Sequence, residues 1–146
     1  GEFDGLILAD AGLKRLKINR NNIFILSHNI MPPPAGQGVI ALQCAEFLEK
    51  KKQDTITYLI NHKDTFLEIL AERSLVKHLN GSCHSPISAS ANIINEEEIL
   101  LFASVASLNG EKVISHEMTG KKKNAKIIGK NLAKKLLSMG AKEILL

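Results

Sequence analysis

The residues best suited to chemistry sit in Leu79-Asn80-Gly81-Ser82-Cys83-His84-Ser85-Pro86. A thiol on a loop framed by glycine and proline is accessible, and His78 and His84 could assist its ionisation, which would make Cys83 a sulfur nucleophile. On spacing alone, a loop cysteine without chemistry stays open as the competing reading. His78, Cys83 and His84 lack the paired ligand spacing of a zinc site, so no metal is expected. No Ser/His/Asp arrangement and no phosphate-binding glycine motif can be read. The second feature is Lys14-Arg15. Arg15 offers a rigid fork that matches carboxylates bidentately, which lysine does not, although in isolation both residues read as solvated helix positions. Lys50-Lys51-Lys52 and Lys121-Lys122-Lys123 read as solvated basic runs, Cys44 as a buried small hydrophobe, and Asp10 as a helix N-cap.

The chain that must position these groups has 146 residues, of which 45% are apolar and 23% charged, so it can bury a real core. Nineteen Lys plus Arg against 15 Asp plus Glu give a net charge of +4, which favours acidic partners from nucleic acid to carboxylated metabolites. Aromatic residues make up only 4% with no Trp, which counts against a stacking platform for single strands. Two cysteines are too few for a disulfide scaffold, and a reducing cytoplasm is the simplest setting. No apolar stretch approaches the roughly 20 residues of a membrane span, and the N-terminus lacks a basic leader region, so neither a membrane nor a secreted protein is expected.

Periodicity divides the chain. Phe3–Leu8, Ile23–Leu26 and Val39–Cys44 read as strands, and Leu13, Leu16 and Ile18 mark a helix face. Pro32 to Gly38 reads as a connecting segment. These α/β pieces are too few to close a sheet, so residues 1–45 read as a remnant of something larger and are expected to expose apolar surface. The second half looks self-sufficient. Ile56, Leu59 and Ile60 have helical spacing. Thr65 with Glu68 forms a capping-box pattern that opens a helix running through Phe66, Ile69, Leu70, Val76 and Leu79 to Gly81 at C′. Ile87, Ala89, Ala91 and Ile93 then alternate with Ser88, Ser90 and Asn92 as a half-buried strand. Ile99–Ser107 is a second strand, Asn109-Gly110 a hairpin signal, and Val113–Met118 a third strand. A last helix from about Asn124 buries Ile128, Leu132, Leu136 and Met139 and exposes Lys126, Lys130 and Lys134. The fold class is therefore α/β followed by α+β.

Four collinear stretches, GEFDGLILADAGLKRL (1–16), PPPAGQGVIALQC (32–44), LAERSLVKHLNGSCHSPI (70–87) and LLSMGAKEILL (136–146), resemble the porphobilinogen deaminase (hydroxymethylbilane synthase) family. The first three are specific to that family and the fourth is generic. The resemblance implies a remnant of a periplasmic-binding-protein-like α/β domain, followed by a C-terminal α+β domain with a three-stranded antiparallel sheet packed on helices. Residues 1–38 would belong to domain 2, 39–60 to a segment returning to domain 1, and 61–146 to domain 3. It further implies a cytoplasmic transferase of tetrapyrrole (haem) biosynthesis. That enzyme joins four porphobilinogen units head to tail, releasing ammonia, to give hydroxymethylbilane. A dipyrromethane cofactor would be held by a thioether to Cys83. Arg15 matches a family arginine contacting cofactor and substrate carboxylates, and Gln37 and Gly38 match the segment crossing between domains, with a cofactor-side role. The family's catalytic Asp and most cleft cations lie in an N-terminal portion that this sequence does not contain. A C-terminal fragment, inactive alone, completed by that portion and monomeric at full length, is therefore expected, with neither nucleic acid nor membrane as partner. Where the family usually has two glycines before the cysteine, this chain has Gly81-Ser82, and a left-handed backbone at Ser82 would carry strain. A small basic nucleic-acid-binding module and a ligand-free scaffold are the alternatives.

Overall fold

The structure, a computed structural model, describes residues 3–18, 21–27, 30–82 and 85–145. The chain divides into two compact units, Gly1–Met31 and Pro32–Leu146. Among the described residues of the first unit the one helix is α1 (Asp10–Arg15). Its end is built locally: the Ile18 amide reaches Leu13 O at 3.0 Å and the Lys17 amide reaches Lys14 O at 3.1 Å, with Lys17 left-handed at φ 53°. That is a Schellman ending with Leu13 at C3 and Ile18 at C″; Leu16 is the C-cap, 71% exposed, and Ile18 lies past the helix, so the three do not form the one helix face expected. Asp10 is the first helical residue, not the N-cap, and its carboxylate instead pairs with Lys14 at 2.6 Å.

The second unit carries α2 (Lys50–Ile60), α3 (Lys63–His78), β1 (Ile87–Ile93), β2 (Glu98–Ala106), β3 (Val113–Lys121), α4 (Ala125–Ser138) and α5 (Ala141–Ile144). The strands form an antiparallel sheet in the order β1-β2-β3, with Ile87 opposite Val105 and Val105 opposite Ile114. Alternation puts Ile87, Ala89, Ala91, Ile99, Leu101, Ala103 and Val105 on the buried face. Across them lie α3, through Ala71, Leu75 and Leu79, and α4, through Ala125, Ile128, Leu132, Ala133 and Leu136. Each fully buried leucine contributes about 1.5–3 kcal/mol. The α+β arrangement expected for the C-terminal part is therefore the observed one, and no helix among the described residues is long and apolar enough to cross a membrane.

Helices α3 and α4 approach closely at Gly129. A Cβ there would lie 2.8 Å from Ser74 Cβ and 2.9 Å from the Leu75 nitrogen, and Ser74 Oγ donates across the same contact to Lys126 O at 2.7 Å. Lys122 ties the end of β3 to the start of α3 through Asp64 at 2.9 Å.

Several sequence expectations are corrected. Phe3–Leu8, Ile23–Leu26 and Val39–Cys44 form no strands, because an extended segment becomes a strand only when a neighbour completes its hydrogen bonds, and among the described residues none does. Their apolar side chains lie exposed instead, Phe24 by 85% and Ile40 by 91%. Thr65 is not the helix cap. His62 is, with its ring nitrogen accepting the Thr65 amide, and Glu68 is engaged elsewhere. Met139 falls beyond α4 as its C-cap and is 41% exposed, so it does not join the buried stripe. Cys44 is half-buried.

The Gly129 contact leaves no room for one methyl group. Gly129→Ala should destabilise the second unit by about 1–3 kcal/mol through overpacking, read as a lowered urea midpoint by circular dichroism. Lys130→Ala, on the exposed face, should leave the midpoint unchanged.

Candidate functional site

Cys83 and His84 lie outside the described residues, so the site is built from what flanks them. On the incoming side, α3 ends in a second Schellman motif: the Gly81 amide reaches Val76 O at 3.0 Å and the Asn80 amide reaches Lys77 O at 3.3 Å. The left-handed residue is Asn80, at φ 54°, which corrects the expectation that Gly81 serves as C′. Gly81 is needed for space, since a Cβ there would stand 2.5 Å from Ile87 Cδ1 and 3.1 Å from Val76 Cγ1. Ser82 is not among the positive-φ residues, so the strain foreseen for a non-glycine at that position does not arise. On the outgoing side, the Ser85 amide donates to Ser82 O at 3.1 Å and the Ser82 amide donates to Ser85 Oγ at 2.9 Å. The chain is thus pinned on both sides of the cysteine. His78 Nδ1 donates to Ser74 O at 2.7 Å, so this imidazole is oriented by its own helix.

The connecting segment from Pro32 to Gly38 is brought onto this same platform. The Ala89 amide of β1 donates to Pro33 O at 3.1 Å, and the Gly36 amide donates to Glu72 Oε2 at 2.7 Å. Gly36 and Gly38, at φ 78° and 84°, bracket an exposed Gln37 whose amide closes a turn on Pro34 O at 3.1 Å. Glu72 is the buried neighbour of this segment that sequence reasoning missed. It is only 7% exposed, and its other oxygen accepts the Ala91 amide at 2.9 Å. The available signal was its spacing, since Glu68, Glu72, Leu75 and Leu79 lie along one side of α3, where a carboxylate needs a partner.

Arg15 belongs to the first unit and is described there by itself. It sits in the last turn of α1, exposed. Lys14 is neutralised by Asp10, whereas the Arg15 guanidinium has no hydrogen bond or ion pair among the described residues. The lysine runs are partly neutralised: Lys50 meets Asp54 at 2.9 Å, Lys52 meets Glu49 at 3.6 Å, and Lys122 meets Asp64.

Residues 66–138 match the sequence model described as porphobilinogen deaminase, C-terminal domain, and residues 1–55 match porphobilinogen deaminase, dipyromethane cofactor binding domain. The porphobilinogen deaminases of Prochlorococcus marinus strains AS9601 and MIT 9515 are each 39% identical to this chain over 145 residues. Those alignments cover 99% of this chain and 45% of each relative, so the chain spans a little under half of their length. The chain belongs to the porphobilinogen deaminase family, whose cofactor is dipyrromethane. The nucleic-acid module finds no support in these comparisons.

The assignment of the left-handed position is testable. Asn80→Gly should hold or raise stability by up to about 1 kcal/mol, while Gly81→Ala should lower it by about 1–3 kcal/mol through crowding against Ile87, both read by thermal melts.

Proposed function

We propose that this chain is the C-terminal part of a cytoplasmic transferase of tetrapyrrole biosynthesis, which joins four porphobilinogen units into hydroxymethylbilane with release of ammonia. The observation that carries the reading is that the two family matches follow one another along the chain and the second encloses Cys83. Cys83 Sγ would hold dipyrromethane through a thioether. When bound, that group supplies the primer on which the pyrrole chain grows.

The residues present suit such a group by their chemistry. A polypyrrole carries acetate and propionate carboxylates, and Arg15 offers an exposed fork with its neighbouring cation already neutralised by Asp10. Gln37 and Gly38 lie on a turn fastened beside β1 and would serve the cofactor side. The Ser82–Ser85 bonds hold the anchoring loop closed at its base. In this reading residues 1–38 are the end of domain 2 of a periplasmic-binding-protein-like pair, 39–60 return to domain 1, and 61–146 form domain 3. The N-terminal portion would supply the catalytic Asp, which stabilises positive charge developing on the pyrrole. The chain alone would be inactive, and the full-length protein monomeric, with porphobilinogen as substrate and without nucleic acid or membrane.

Intact mass of the full-length protein, expressed with porphobilinogen available, tests this directly. An adduct of dipyrromethane size, lost in Cys83→Ser, is expected; an unmodified Cys83 would sink the reading. Hydrogen bonds to charged groups contribute about 1.5–3 kcal/mol, so Arg15→Ala should raise the KM for porphobilinogen by about tenfold or more. Arg15→Lys should recover only part of that loss.

A further inference from the structure

We propose that Glu72 is a positioning residue, a carboxylate clasp that fastens the crossing segment to the helix and strand flanking Cys83 and thereby holds Gln37 and Gly38 in their working place. Three connections carry this. Glu72 lies on α3, which runs into the cysteine loop, and its Oε1 accepts from Ala91 of β1, the strand that leaves the loop. Its Oε2 accepts from Gly36, and one position earlier along the same edge Pro33 O accepts from Ala89. One buried carboxylate therefore bridges the two elements bounding the loop and the segment that carries the turn. The bridge also divides the segment: Pro33 and Gly36 are bonded to the platform, whereas Gln37, Gly38, Val39 and Ile40 are exposed. The bonded part of the segment thus ends at Gly36, directly before the turn that carries Gln37 and Gly38.

The functional part of this inference rests on the proposed function, and the first measurement does not. In hydrogen-exchange mass spectrometry of the full-length holoenzyme, Glu72→Gln keeps the side chain's size but turns an amide group toward one of the two donors. Peptides covering 32–38 should then exchange about tenfold faster, while those covering 99–105 in β2 keep their rate. Gly36→Ala is the second variant: no atom lies within 4 Å of its added Cβ, yet φ 78° disfavours any side chain, so it should loosen the same peptide without touching the core. Both variants should retain the Cys83 adduct by intact mass and lose about tenfold in kcat, with partial recovery in Glu72→Asp. Unchanged exchange at 32–38, or equal acceleration at 99–105, would overturn the clasp. Faster local exchange with kcat and KM both unaltered would overturn its positioning role. Absence of an adduct in the parent protein would sink the proposed function and leave the exchange result standing.

Discussion

The outer edge of β1 sets the constraint on which the second unit depends. Pairing with β2 consumes the amides of alternate residues, and Ile87, Ala89, Ala91 and Ile93 are left pointing away from the sheet. These sit in or beside the buried core, where an unpaired donor costs about 1–3 kcal/mol. All four find acceptors: Ser85 O at 2.7 Å for Ile87, Pro33 O for Ala89, Glu72 for Ala91, and Glu68 at 2.9 Å for Ile93. Edge protection here is done by two helix carboxylates and a length of connecting chain, not by a fourth strand. The position of the connecting segment thus follows from the hydrogen bonds that the edge of β1 requires.

Much of the second unit was legible because its signals are periodic. The alternation of Ile87 to Ile93, the Asn109-Gly110 turn and the spacing of Ile128, Leu132 and Leu136 each follow from one face meeting one core. The misses share a different cause. Thr65 with Glu68 has the pattern of a capping box, but the pattern cannot say that Glu68 has a better use on Ile93. Gly81 looked like a left-handed cap, yet its role is set by Ile87 and Val76, contacts that no local pattern contains. The apolar runs of residues 1–45 read as strands because composition records a preference for burial, whereas a strand also needs a hydrogen-bonding neighbour.

For the candidate site, the residue types stood out in the sequence and the scaffolding around them did not. Cys83 stands out by its Gly-Ser before and Pro after, and Arg15 by being an arginine next to a lysine. Asp10 pairs with Lys14, which leaves Arg15 as the member of the pair without a hydrogen bond or ion pair among the described residues. In the two lysine runs, Lys50, Lys52 and Lys122 have acidic partners in Asp54, Glu49 and Asp64.

The two glutamates also explain where the segment must dock. Four residues of helix advance about 6 Å, and two residues of strand advance about 6.7 Å, so side chains at i and i+4 of α3 can serve alternate donors of a strand running the opposite way. Glu68 serves Ile93 and Glu72 serves Ala91. The next position in this series is Val76, which has no acceptor to offer Ala89. That gap is where Pro33 O enters, and Pro33 has no amide of its own to leave unpaired there. Val76 is instead committed to packing against Gly81 at the root of the cysteine loop. The residue that would have completed a carboxylate ladder is thus packed beside Gly81, and the connecting segment meets β1 at the position it leaves open.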